Sequence, residues 1–68
     1  MTERLGTRLK DVRVEAGLTQ SELADRCGVS RKTVNTVENG VFIPSTVLAL
    51  TLARVLGRPV EELFFLTD

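Results

Sequence analysis

The sequence predicts an all-α fold, a compact bundle of five short helices, from three observations. Apolar residues recur at helical spacing, as with Leu5, Leu9, Val12 and Ala16 at i, i+4, i+7 and i+11. Each apolar stripe is followed by a glycine, at positions 17, 28, 40 and 57, where helices characteristically stop. Hydroxyl residues stand at the opposite ends: Thr19 and Ser30 precede the second and third stripes as N-caps, and Pro44-Ser45 precedes the fourth.

The first helix carries the Leu5–Ala16 stripe, Gly17 stops it, and Leu18 turns back towards the core. Thr19 and Glu22 have the spacing of a capping box, in which each side chain satisfies a free backbone N–H of the second helix. Leu23, Ala24 and Cys27 form that helix's inner face, and the turn at Gly28 continues through Val29, which is expected to be buried. The third helix follows Ser30, with Val34 and Val37 inward and Arg31, Lys32, Asn35 and Thr36 outward, and ends at Asn39-Gly40. Pro44-Ser45 opens a fourth helix bearing Leu48, Leu52, Val55 and Leu56. Pro59 suits a helix first turn and leads a short fifth segment through Glu61, Glu62, Leu63 and Phe64. Strand-type alternation is confined to Phe64–Thr67, which read as a short C-terminal extended segment.

A chain of 68 residues has room for one domain, residues 1–68, and one core. So small a domain buries little of its surface, and dimerisation would help its stability. At 43% hydrophobic content with both charge signs interspersed, it is expected to be globular. No apolar run approaches the roughly 18 residues of a membrane span, and the N-terminus lacks a secretory stretch. The single cysteine, Cys27, excludes an internal disulfide and suits a reducing cytoplasm. Nine basic and nine acidic residues cancel overall, but not locally. Residues 1–34 hold seven basic against five acidic residues (+2), and residues 35–68 hold two against four (−2). Such polarity can orient a molecule on a polyanion, with modest nonspecific affinity and strong salt dependence.

Residues 19–40 therefore read as two short helices joined by a tight glycine turn, the second with basic and amide side chains outward. A helix of that kind can enter a DNA major groove. Arginine or lysine can donate to guanine O6 and N7, asparagine suits adenine N6 and N7, and a threonine methyl can pack on a thymine methyl.

In order and at matching spacing, Gly17-Leu18-Thr19-Gln20-x-x-Leu23-Ala24, Gly28-Val29-Ser30, Glu38-Asn39-Gly40, Pro44-Ser45 and Leu63-Phe64 resemble the Xre family, the phage-repressor and Cro type of helix-turn-helix regulator. The resemblance spans roughly residues 4–65. It implies a lambda-repressor-like DNA-binding fold and a role for individual positions. Gln20 would contact a phosphate or an outer base. Ser30, Arg31 and Lys32 would lead the recognition helix, with Asn35 and Thr36 one turn further along. Asn39 would approach a phosphate beyond the helix, and Arg13 and Glu38 would form a partly buried structural ion pair. Two copies on a pseudo-palindrome, with half-sites about 34 Å apart, would roughly double the readout of one. The implied protein is a cytoplasmic, nucleoid-associated repressor, bacterial or phage-encoded, whose partners are double-stranded DNA and a second copy of itself.

Departures from the family pattern concentrate after Gly40. Relatives commonly carry basic or polar residues there, where this chain has Val41-Phe42-Ile43. Thr46 and Val47 stand where many relatives place a leucine and a glutamate. Two roles stay open for the added apolar surface: Phe42 and Ile43 could cap the core, or the surface could close a twofold dimer. Short relatives often dimerise through their last two helices, which places the expected interface within 57–67, on Pro59, Val60, Phe64, Phe65 and Leu66. A restriction-system controller, the DNA-binding component of an antitoxin pair, or a protein-interaction adaptor could use the same fold.

Catalysis finds no support. The chain has no histidine, so imidazole general-base chemistry is absent and metal sites lack their commonest ligand. The glycines punctuate helices and form no phosphate-cradling loop. Glu61-Glu62 suits a helix N-terminal dipole better than a paired-acid site. No catalytic residue, metal, cofactor or small-molecule ligand is expected.

Overall fold

Local capping chemistry sets most of the element boundaries in the computed structural model, which describes residues 4–67. The order is β1 (Arg4–Thr7), α1 (Leu9–Glu15), α2 (Gln20–Cys27), α3 (Arg31–Glu38), α4 (Thr46–Leu56), α5 (Val60–Leu63) and β2 (Phe64–Thr67). Thr19 Oγ1 accepts from the Glu22 backbone N–H at 3.0 Å, and Glu22 Oε1 accepts from the Thr19 backbone N–H at 2.8 Å. Both halves of the predicted capping box are therefore formed. Ser30 and Ser45 accept from Thr33 N and Leu48 N, each at 3.1 Å. A polar cap of this kind contributes about 1 kcal/mol. The turn between α2 and α3 closes on Gly28, whose φ of 71° disfavours any residue with a Cβ.

The core joins Leu9 and Val12 of α1, Leu23 and Ala24 of α2, Val34 and Val37 of α3, Leu52 and Ala53 of α4, Leu63 of α5 and Phe64 of β2. Leu5, Leu18, Cys27, Val29, Leu48, Val55 and Leu56 pack against it, partly buried. With every helix inserting apolar residues into one cluster, α3 has a single way to face: Val34 and Val37 in, Arg31, Lys32 and Asn35 out.

The all-α expectation needs correction at the chain ends. Arg4–Thr7 do not extend α1; they pair antiparallel with Phe64–Thr67, in the register Arg4 with Thr67, Leu5 with Leu66, Gly6 with Phe65 and Thr7 with Phe64. Leu5 keeps its predicted contact with the core but makes it from a strand, and Ala16 is exposed beyond the end of α1. Thr7 Oγ1 then accepts from Leu9 N at 3.1 Å, and Arg8 N donates to Leu63 O at 2.8 Å, which together turn the strand into the helix. The predicted C-terminal extended segment is β2.

Alternation along β2 sorts its side chains, because successive residues of a strand face opposite ways. Phe64 enters the core at 8% exposure, and Leu66, two residues on, shares its face beside Leu5. Phe65 lies on the other face, its ring over Gly6, with the Arg8 guanidinium 4.2 Å from the ring centroid. That separation is short enough for a cation–π contact. A side chain at position 6 would collide with the Phe65 ring.

The apolar loop does not cap the core. Phe42 is 48% exposed and Ile43 72% exposed, with Val41 more open still. Its backbone is nevertheless tied down: Val41 N and Phe42 N both donate to Thr36 O, at 3.0 and 3.2 Å.

Candidate nucleic-acid interface

The two basic residues at the start of α3 are the chemical centre of the outer face. Arg31 and Lys32 are exposed, and among the described residues neither is in an ion pair. Arg58, by contrast, bridges Glu62 at 2.9 Å and Glu15 at 3.4 Å at the surface. Two unneutralised cations on the first turn of a rigidly seated helix are available to a polyanion.

The polar residues around them are differently engaged. Ser30 is a cap, its Oγ occupied by Thr33 N and within 3.0 Å of Thr33 Oγ1. Asn35 is exposed, and its Oδ1 accepts from Asn39 Nδ2 at 3.2 Å, one helical turn on. An amide oxygen can take a second donor, so Asn35 keeps both an acceptor site and its two N–H donors. Thr36 is half-buried, and its hydroxyl donates back to the carbonyls of Lys32 and Thr33, both at 3.0 Å. With that proton occupied within the helix, the methyl is the part of Thr36 best suited to an outside contact. Lys32, Thr33, Thr36, Val41 and Phe42 line one shallow groove beside the helix.

Gln20, the first residue of α2, is not a free side chain. Its Nε2 donates to Glu38 Oε1 at 3.0 Å. Glu38 is also gripped by Arg13, through Nε to Oε2 at 2.5 Å and through Nη2 to Oε1 at 3.2 Å. Arg13 Nη1 completes the set by donating to Leu18 O at 2.9 Å. The pair is largely withdrawn from water, with the Arg13 and Glu38 side chains 10% and 2% exposed. The hydrogen bond to Glu38 drives the Arg13 pKa further up, against the opposing effect of burial. α1, α2 and α3 are thus joined by one charged network that meets α3 at its last turn.

The residues expected at a dimer interface separate into three groups. Val60 is half-buried, and Pro59 and Leu66 are exposed. Phe64 belongs to the chain's own core, and Phe65 faces away from Leu66, over Gly6. The sequence reading leaves Ile43 open as dimer surface and misses Leu50; the two meet Leu5, Val60 and Phe64 around an apolar cleft of about 310 Å³. Leu50 lies on the outer side of α4, at 55% exposure, where an apolar residue is not marked as exposed by hydrophobicity alone. Cys27 is half-buried, and burial pushes its thiol pKa up, away from reactivity.

Comparison with known proteins agrees with this geometry. The Helix-turn-helix family model matches residues 9–63, from the start of α1 to the end of α5. An uncharacterised HTH-type transcriptional regulator of Methanothermobacter thermautotrophicus is 46% identical over 63 residues, covering 91% of each chain. The ImmF control region 10 kDa protein of Bacillus phage phi105 is 42% identical over 53 residues, covering 78% of this chain and 56% of its own. Among solved structures, the restriction-modification controller protein C.AhdI from Aeromonas hydrophila superposes with a TM-score of 0.77 at 38% identity, covering 81% of this chain and 83% of that one. Capped helices, a glycine turn, an outward basic helix and these relatives converge: the chain belongs to the Xre-type helix-turn-helix family of DNA-binding transcriptional regulators.

Proposed function

We propose that residues 1–68 form one domain that binds a pseudo-palindromic operator as a homodimer and represses transcription by occupying it. α3 lies in the major groove. The carrying observation is the seating of that helix: Val34 and Val37 fix it in the core while Arg31 and Lys32 stand outside, without a carboxylate partner among the described residues. Arg31 and Lys32 donate to guanine edges, Asn35 reads adenine, and the Thr36 methyl packs on thymine. Ser30 holds the helix start, and Asn39 keeps Asn35 in place. Gln20 contacts a backbone phosphate from the start of α2.

Homodimerisation is supported by a patch that the fold leaves uncovered. Ile43 and Leu50 are exposed, Val60 and Leu5 line the same cleft, and Leu66 stands directly across the strand pair from Leu5. Leu50 also continues along α4 to Val47 and Thr51. Contiguous exposed apolar surface is a candidate interface, and a twofold axis would pair it with itself. Such a regulator acts at the nucleoid, in the cytoplasm.

Selection of bound duplexes from a random pool tests the proposal. The expected result is an inverted repeat with half-sites about 34 Å apart. Lys32→Ala then weakens the selected site by about ten- to a hundredfold, the size of one lost bidentate contact. Recovery of no preferred sequence, or unchanged affinity on Lys32→Ala, refutes it. Control of a restriction system is the second reading, favoured by the likeness to C.AhdI over most of both chains.

A further inference from the structure

The chain has one glutamine and two asparagines, Gln20, Asn35 and Asn39. All three carboxamides lie on α3 or against it, and each is hydrogen-bonded within the protein. Gln20 is the instructive one, because its partner comes from another helix. Glu38, at the last turn of α3, is the acceptor for Gln20 Nε2 at 3.0 Å.

Three physical facts follow from that contact. An ionised carboxylate only accepts, so the Gln20 amide must turn its nitrogen, never its oxygen, towards Glu38. One N–H is thereby occupied, leaving the second N–H and Oε1 for an outside partner. The Glu38 charge that would repel a nearby phosphate is balanced by the two contacts from Arg13, which is itself held by Leu18 O. Finally, an amide ordered before binding has less rotamer freedom to lose on binding.

We propose that Glu38 is a positioning residue for DNA binding. It sets the Gln20 amide so that the second N–H meets a backbone phosphate oxygen, and Arg13 keeps the carboxylate electrically quiet while it does so. Glu38 touches no DNA itself. This rests on the reading that α2 and α3 face the duplex, and it extends the buried ion pair from holding the fold together to setting a contact.

A double-mutant cycle on the selected duplex, read by fluorescence anisotropy at fixed salt, tests it. Gln20→Met keeps the side chain's length and removes its amide; Glu38→Gln keeps the shape at 38 but no longer dictates which end of the Gln20 amide faces it. Gln20→Met is expected to weaken binding about tenfold, as for one hydrogen bond to a charged group. Glu38→Gln is expected to weaken it several-fold, and to have no further effect in the Gln20→Met background. A merely structural Glu38 would cost the same in both backgrounds, and additive losses overturn the proposal. The unmodified protein supplies a readout that needs no variant to fold. Its single glutamine gives one side-chain NH₂ pair in a ¹⁵N–¹H spectrum. The two protons are expected to be well separated in shift, with duplex moving the outward one and leaving the Glu38-bound one in place. A pair at ordinary solvent-exposed shifts, unmoved by duplex, overturns the proposal while duplex binding itself still stands. If the unmodified chain binds no duplex, the proposed function falls and the positioning role falls with it.

Discussion

Replacing Glu38 by alanine strips Arg13 of its counter-ion in a place water barely reaches. Of the guanidinium's partners only Leu18 O remains, and Gln20 Nε2 loses its acceptor as well. Removing one member of a buried pair costs about 3–5 kcal/mol, because the surviving charge stays desolvated. At roughly 0.05–0.15 kcal/mol per residue, a domain of this size holds about 3–10 kcal/mol in total. The substitution therefore removes a large part of the stability. At about 4–8 °C per kcal/mol for a small domain, the melting temperature should fall by at least ~12 °C, measured by far-UV circular dichroism. Arg13→Met combined with Glu38→Leu removes both charges and fills similar volume, and should recover most of that loss. A Glu38→Ala melting point within ~3 °C of the unmodified chain (under about 1 kcal/mol) would refute the desolvation reasoning.

Further outcomes follow from other contacts. Gly6→Ala drives a methyl into the Phe65 ring and should cost about 1–3 kcal/mol in urea unfolding, with faster amide exchange in Arg4–Thr7 and Phe64–Thr67. Leu50→Glu places a charge in the uncovered apolar patch. It should shift sedimentation from dimer to monomer while changing monomer stability by about 0.5 kcal/mol or less, as for a surface site. Acidification should loosen the start of α2. Hydrogen bonds from the Thr19 backbone and side chain hold the Glu22 carboxyl below its usual pKa, so its folded value lies under its unfolded one. The contribution is present above the unfolded pKa and disappears as pH falls through the folded one. The unmodified chain should therefore lose more melting temperature between pH 7 and pH 3 than Glu22→Gln does.

How much of this was legible in the sequence depended on distance along the chain. The caps at Thr19 and Ser30, the opening of α4 at Pro44-Ser45 and the turn at Gly28 were readable because each involves residues within about four positions. The inward positions Leu9, Val12, Leu23, Val34, Val37 and Leu52 followed from helical period alone. β1 was not readable, because Leu5 continues the α1 stripe at i+4 spacing and satisfies two patterns equally. What decides between them is pairing with Phe64–Thr67, some sixty residues away, which local periodicity does not encode. The same pairing sent Phe64 into the core, where it forms part of the cleft's wall, and Phe65 to the opposite face. At the interface, the sequence offered Gln20 as a free contact. Its tie to Glu38 bridges two helices and appears only when α2 and α3 are packed.

The terminal strand pair also makes the chain nearly a ring. Arg4 and Thr67 stand opposite each other in the register, so their Cα atoms are about one strand spacing apart, ~5 Å. A covalent link of a few residues between them would close the backbone without bending any helix or touching α3. Closing a loop of this length costs an unfolded chain roughly 3–4 kcal/mol of entropy, which a cyclised chain has already lost before it folds. The Arg4–Thr67 pairing is thus a place where the fold can be made much more stable while the surface proposed to read DNA stays as it is.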